Sequence, residues 1–117
     1  MTLNIFGLVL LSLLFISSGQ MLFKYVSILL NKKDEVGMIT VIFYGLLSFF
    51  VSGMGTVVWM YILRFIELNK IYPYMALTFI FVPIMSYFLY SEKLSIQYFF
   101  GLLFIIVGLY VITKGNN

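Results

Sequence analysis

Apolar stretches and short charged segments alternate along the whole of this 117-residue chain. Four stretches carry no charged residue, and they cover residues 3–23, 36–63, 71–91 and 94–113. A helix that crosses a bilayer needs about 20 predominantly apolar residues, so each stretch is long enough. Because lipid offers the backbone no hydrogen-bond partners, such stretches form helices. The pattern predicts an all-α integral membrane protein, a single domain of four transmembrane helices at about residues 3–30, 36–63, 71–91 and 94–113.

The composition supports a membrane protein and excludes several kinds of chemistry. Hydrophobic residues make up 63% of the chain and charged residues 9%, whereas soluble domains carry about 25% charged residues. The chain has no cysteine and no histidine, which rules out thiolate or imidazole metal sites and histidine-based catalysis. We therefore expect no metal, no cofactor and no enzymatic activity. The net charge of +3 comes without a basic run, so we expect no nucleic-acid partner.

The charges in the predicted loops give little indication of orientation. Three basic residues fall on the side of the N-terminus, the second loop and the tail, and three or four fall on the other side. Cytoplasmic loops normally carry more Lys and Arg, and this bias is nearly absent here. Three alternatives stay open: a weak preference fixed by cellular context, insertion in both orientations to form an antiparallel dimer, or a partner chain of opposite orientation.

Polar residues in the first predicted helix form one stripe. Ser17, Gln20 and Lys24 are spaced i, i+3 and i+7, which places them on one helical face. Polar groups inside a membrane helix are costly and mark functional sites by default. The stripe would line a cavity, with Lys24 offering its charge to a phosphate or another anionic headgroup. Alternatively, Ser17 and Gln20 hydrogen-bond between helices while Lys24 extends to the interface.

Aromatic residues and prolines mark two further positions. Trp59, late in the second helix, would either stack on a substrate ring or anchor the helix at the membrane interface. Tyr72 and Tyr74 flank Pro73 in the first turn of the third helix, where proline is tolerated. They would hydrogen-bond sugar hydroxyls or belong to the interfacial aromatic belt. Pro83 lies in the middle of the same helix and predicts a kink.

Small residues predict close contacts between helices. Gly19 in helix one permits close approach, and so does the cluster Ser52, Gly53 and Gly55 in helix two, which is also the expected bend of that helix. Helix four carries two glycines at heptad spacing, which make a narrow groove on one face. That groove is either a dimer seam or a packing surface within one chain.

Four segments carry a family resemblance: Ser18–Lys24 at the end of helix one, Ile71–Leu77 at the start of helix three, Ser91–Leu94 in the last loop, and Gly101–Gly108 in helix four. Together they resemble the drug/metabolite transporter superfamily in its four-helix form. The resemblance covers nearly the whole chain. It implies a small multidrug resistance-like fold in the cytoplasmic (inner) membrane.

Two families within this superfamily compete. The small multidrug resistance exporters share the Gly and Lys of helix one, but they carry a proton- and drug-binding Glu three residues before that Gly. Here that position is Ile16, and no acidic residue lies inside any predicted helix. The small subunits of the 4-amino-4-deoxy-L-arabinose-phosphoundecaprenol flippase are more similar. They share the Gly-Gln pair with a following Lys, a Trp late in helix two and the Tyr-Pro opening of helix three.

The second resemblance implies a function for the chain. It implies a homodimer, or a heterodimer with a similar small subunit, that moves a polyprenyl-phosphate-linked sugar across the membrane. Two alternatives stay open: export of small amphipathic or cationic molecules, and a non-transporting role in a larger membrane complex. The predicted substrate-binding residues are Ser17, Gln20, Lys24, Trp59, Tyr72 and Tyr74, and the predicted dimer seam is formed by Gly101 and Gly108.

Overall fold

The computed structural model describes residues 3–115, and these residues are helical except at short connections. Four segments are long and apolar enough to cross a membrane, which confirms the prediction of four transmembrane helices. The third of these spans, Leu68–Tyr90, is built from three consecutive helical pieces. In chain order the helices are α1 (Leu3–Asn31), α2 (Lys33–Val36), α3 (Met38–Leu63), α4 (Leu68–Ile71), a 3-10 helix (Tyr72–Leu77), α5 (Thr78–Tyr90) and α6 (Ile96–Gly115).

Helices α1 and α3 form the most extensive contact of the fold, and glycines make it close. A Cβ atom on Gly55 would lie 2.8 Å from the carbonyl oxygen of Ser12, and one on Gly19 would lie 3.0 Å from Cβ of Ser52. The hydroxyl of Ser12 donates a hydrogen bond of 2.7 Å to the Gly55 carbonyl across the same contact. The prediction of close helix packing is confirmed at Gly19, Ser52 and Gly55, whereas no described atom lies within 4 Å of a Cβ position on Gly53.

A small apolar core lies where α1, the end of α3 and the start of the third span meet. Its buried members are Val9, Leu13, Trp59, Ile62 and Ile71. Membrane helices gain little from the hydrophobic effect against lipid, so close packing and interhelical hydrogen bonds hold such a core together. This core therefore fixes the position of the third span against α1.

The third span begins at Leu68 and changes to a 3-10 helix around Pro73, which differs from the single α-helix expected at about residues 71–91. Proline cannot donate to an α-helical ladder and its ring crowds the preceding turn, so the chain tightens here. The 3-10 helix has Pro73 in its first turn, and α5 then continues through Pro83 as far as Tyr90.

The last helix, α6, is the least buried of the four spans. Within Ile96–Gly115 no residue is buried, and its main contact is with the 3-10 helix. The described part of the chain measures 54 × 37 × 18 Å, so it is only 18 Å across in its thinnest direction. A helix with its side chains is about 10–12 Å in diameter. The chain is therefore less than two helices thick in that direction.

Candidate functional site

A cavity of about 310 Å³ lies between α1, the third span and the start of α6. Ser17 lies in the first membrane span, far from both of its ends, so this part of the cavity lies within the membrane. Drug-sized ligands occupy pockets of about 300–1,000 Å³, so the cavity has room for a small polar headgroup. Gln20 joins Ser17 in the wall, as the shared helical face predicts. The lining residues are Ile16, Ser17, Gln20, Met75, Thr78, Phe79, Val82, Pro83 and Tyr98.

The hydroxyl of Ser17 is the most unusual group in this cavity. Ser17 is fully buried, yet its Oγ has no hydrogen-bond partner among the described residues. A buried polar group left without a partner costs about 1–3 kcal/mol. The buried hydroxyl of Ser12 on the same helix is bonded to α3, whereas Oγ of Ser52 on α3 is also buried without a partner. Ser17 has no solvent-accessible surface, so its hydroxyl can bond a ligand in the cavity only after neighbouring side chains move.

One wall of the cavity is organised by Pro83. A proline at this position has no N–H to donate to the carbonyl four residues earlier, which belongs to Phe79. The hydroxyl of Tyr98 on α6 donates a hydrogen bond of 2.6 Å to that carbonyl. In lipid an unsatisfied backbone carbonyl is costly, so this bond fixes the start of α6 against α5. Sequence reasoning missed Tyr98, although an interior proline signals a freed carbonyl.

Lys24 lies one helical turn beyond Gln20 and forms an ion pair instead of lining the cavity. Its Nζ is 3.7 Å from Oε1 of Glu92, and both side chains are about half exposed. Nearby, the hydroxyl of Tyr90 donates a hydrogen bond of 2.6 Å to the carbonyl of Met21. These two contacts join the end of α5 and the following turn to α1. Glu92 as the partner of Lys24 was not foreseen from the sequence.

The three predicted aromatic residues lie away from the cavity wall. Trp59 is buried in the core with an exposed fraction of 7%. Tyr74 packs edge-to-face on Phe6, with ring centroids 6.4 Å apart, and contacts the same core. Tyr72 is exposed on the 3-10 helix. Their assignment to substrate binding stays a prediction, and the cavity offers Thr78 and Tyr98 as additional polar residues.

Gly101 and Gly108 lie on the exposed surface of α6. A Cβ atom at either position would meet no described atom within 4 Å. The groove they form is therefore not filled by other helices of the same chain. Ile16, which stands where the multidrug exporters carry their Glu, lines the cavity, so that position contributes an apolar side chain.

A cavity with polar side chains in its wall, formed by three of the four membrane-spanning helices, is a common feature of membrane transport proteins. The EamA-like transporter family matches residues 1–114, and the chain belongs to that family. It is a multi-pass protein of the cytoplasmic membrane. The resemblance to the drug/metabolite transporter superfamily is confirmed.

Similar proteins include several named as flippase subunits. One, named "Probable 4-amino-4-deoxy-L-arabinose-phosphoundecaprenol flippase subunit ArnE" in Hamiltonella defensa, is 28% identical over 83 residues, which cover 71% of this chain and 74% of that protein. The protein of the same name in Pseudomonas fluorescens is 28% identical over 58% of this chain and 60% of its own length. Subunit ArnF of Proteus mirabilis is 37% identical over 65% of this chain and 56% of its own length. No solved structure matches the chain.

Proposed function

We propose that this chain is one subunit of a dimeric flippase that moves a polyprenyl-phosphate-linked sugar across the cytoplasmic membrane. The names of its relatives supply the substrate class. The observation that carries the proposal is the cavity within the membrane, whose wall includes Ser17, Gln20, Thr78 and Tyr98. Polar side chains inside a membrane bundle are costly and commonly mark substrate pathways.

The chemistry of the cavity suits a sugar headgroup. Sugar hydroxyls both donate and accept hydrogen bonds, and the hydroxyl of Ser17 and the amide of Gln20 can do the same. The apolar remainder of the wall would contact the faces of the sugar ring. Lys24, one turn nearer the membrane surface, would bind the phosphate. The polyprenyl tail would stay in lipid, because the chain is too thin to enclose it.

A dimer would complete the pathway. The single chain is 18 Å across in its thinnest direction and leaves α6 without buried residues. The unfilled groove at Gly101 and Gly108 would receive a helix of a second subunit, since small residues let helix backbones approach closely. The relatives include subunits with two different names, so the partner is either a second copy or a similar small subunit.

The test is a flipping assay in proteoliposomes. The chain is purified from its native membrane with any partner that remains bound, and is reconstituted with a fluorescent polyprenyl-phosphate sugar. An enzyme added outside then modifies every accessible headgroup. If the chain flips the lipid, the enzyme will modify more than the half of the labelled lipid that starts in the outer leaflet. Gln20→Ala should slow modification of the remaining half, which starts in the inner leaflet. Protection of the inner half in these vesicles would refute the proposal.

A further inference from the structure

The ion pair between Lys24 and Glu92 is built by a turn of defined shape. The chain leaves α5 through Ser91, whose φ of 55° places it in the left-handed region. This turn directs Glu92 back toward α1, and the bond from Tyr90 to the carbonyl of Met21 holds the end of α5 there. Backbone geometry therefore brings an acidic side chain to the one position on α1 that carries a cation.

Lys24 is unusual in its position along the chain. Among residues 3–115 it is the only charged side chain that lies more than one helical turn from the end of a membrane span. Its partner Glu92 lies just beyond the last residue of the third span, so the two charges meet near the membrane surface. A charge next to the apolar part of a membrane helix is stabilised by a partner of opposite charge, and Glu92 is that partner.

The ion pair between Lys24 and Glu92 is weak enough for a ligand to replace it. Its 3.7 Å separation is longer than a close charge-assisted hydrogen bond of about 2.7–2.9 Å. Both side chains are about half exposed, and exposed pairs contribute little to stability. A phosphate that binds Lys24 would leave Glu92 without its cation. A headgroup that also carries a positive charge would restore the balance.

We propose that Glu92 binds a primary ammonium group on the same headgroup whose phosphate binds Lys24, and so selects amino sugars over neutral sugars. This inference rests on the proposed flippase function. A headgroup with both charges replaces the ion pair and leaves no charge unpaired. A neutral sugar phosphate leaves the Glu92 carboxylate without a partner, which is a penalty against the wrong substrate.

Two lipids have this chemistry: an undecaprenyl-phosphate amino sugar and phosphatidylethanolamine. The experiment measures equilibrium binding of two radiolabelled undecaprenyl-phosphate lipids to the protein in nanodiscs of phosphatidylglycerol. One lipid carries 4-amino-4-deoxy-L-arabinose and the other carries L-arabinose. We expect the native chain to prefer the amino lipid by about fivefold, which is typical of a half-exposed charge pair. Glu92→Gln should abolish this preference.

Glu67→Gln is the matched control. Glu67 is an exposed acidic residue in the preceding loop, on the opposite side of the membrane. The same loss of charge there should leave the preference unchanged.

A second binding experiment replaces one third of the phosphatidylglycerol in the nanodiscs by phosphatidylethanolamine. Competition that depends on Glu92 would support the ammonium site and identify the membrane lipid as its occupant. No competition would assign the site to the amino sugar.

The outcomes separate this inference from the proposed function. If Glu92→Gln changes the binding of both labelled lipids by the same factor, Glu92 only restrains Lys24, and selection of amino sugars is wrong while the flippase proposal stands. If the native chain binds both lipids equally, the inference is also wrong. If it binds neither lipid, the flippase proposal fails and the inference fails with it.

Discussion

The contact between α1 and α3 at Gly55 gives the sharpest prediction for the fold. A Cβ atom there would lie 2.8 Å from the carbonyl oxygen of Ser12, 2.9 Å from Cβ of Phe15 and 2.9 Å from Cγ1 of Ile16. The Ser12 oxygen is a backbone atom, and Cβ of Phe15 is bonded directly to the backbone. Rotation of a side chain moves neither atom, so it cannot relieve the crowding. Gly55→Ala must therefore push the two helices apart.

The magnitude follows from two losses. Forcing an extra methyl group into a well-packed contact costs about 1–3 kcal/mol. Separation of the helices also weakens the bond from Ser12 to the Gly55 carbonyl, and interhelical bonds in membranes contribute about 0.6 kcal/mol. Alanine favours a helix over glycine by about 1 kcal/mol, which offsets part of this. Gly53→Ala gains the same helix propensity without the clash, because no described atom lies within 4 Å of its Cβ position.

The assay compares the two alanine variants directly. Each is unfolded with sodium dodecyl sulfate in mixed micelles and followed by circular dichroism. Both variants gain the same helix propensity, so this gain cancels when their unfolding free energies are compared. Gly55→Ala should therefore be less stable than Gly53→Ala by about 2–3 kcal/mol. Because Ile16 also lines the cavity, Gly55→Ala should slow transport as well. Equal stability of the two variants would refute the close packing described here.

Substitutions at Tyr98, Ser17, Ser12 and Trp59 test the cavity and the core. Tyr98→Phe removes the donor to the Phe79 carbonyl and should lower the unfolding free energy by about 0.5–1.5 kcal/mol in the same titration; an unchanged value would mean that this bond does not hold α6. Ser17→Ala should slow flipping in proteoliposomes without lowering stability, whereas Ser12→Ala should lower stability because its hydroxyl is bonded; the opposite ranking would contradict the account. Trp59→Phe should keep transport because Trp59 fills the core, whereas Trp59→Ala should cost about 3–5 kcal/mol; loss of flipping in a stable Phe variant would instead assign this ring to the substrate.

The four spans could be predicted from the sequence because charge and length alone define them. Nearly all charged residues stand at or beyond the ends of long apolar stretches, and lipid permits only helices there. Close packing at Gly19 and Gly55 could also be predicted, since small residues in membrane helices commonly mark contacts. These features depend on composition and spacing along one helix.

The buried faces of the helices could not be predicted in the same way. Helices that are apolar all round give no amphipathic signal of which side faces protein. Trp59 therefore suggested an interfacial anchor or a substrate contact, and the structure buries it in the core. The 3-10 helix at Pro73 depends on how the third span meets α1, which is a long-range property.

Hydrogen-bond and ion-pair partners on different helices could not be predicted from the sequence either. The rule that an interior proline frees a carbonyl could have predicted a donor for Phe79, but not which residue would supply it. Tyr98 is 19 residues away, and only the fold brings its hydroxyl there. The pairing of Lys24 with Glu92 likewise depends on the left-handed turn at Ser91.

The central claim is that the headgroup of a lipid-linked sugar enters the cavity beside Ser17. The most direct measurement is photocrosslinking with a diazirine amino acid placed at Val82, which lines the cavity, or at Val107, which is exposed on α6. The lipid carries its radiolabel in the sugar. The account predicts labelling from position 82 that an excess of unlabelled lipid removes, and little labelling from position 107. Equal labelling from both positions, or labelling that excess lipid does not reduce, would contradict it.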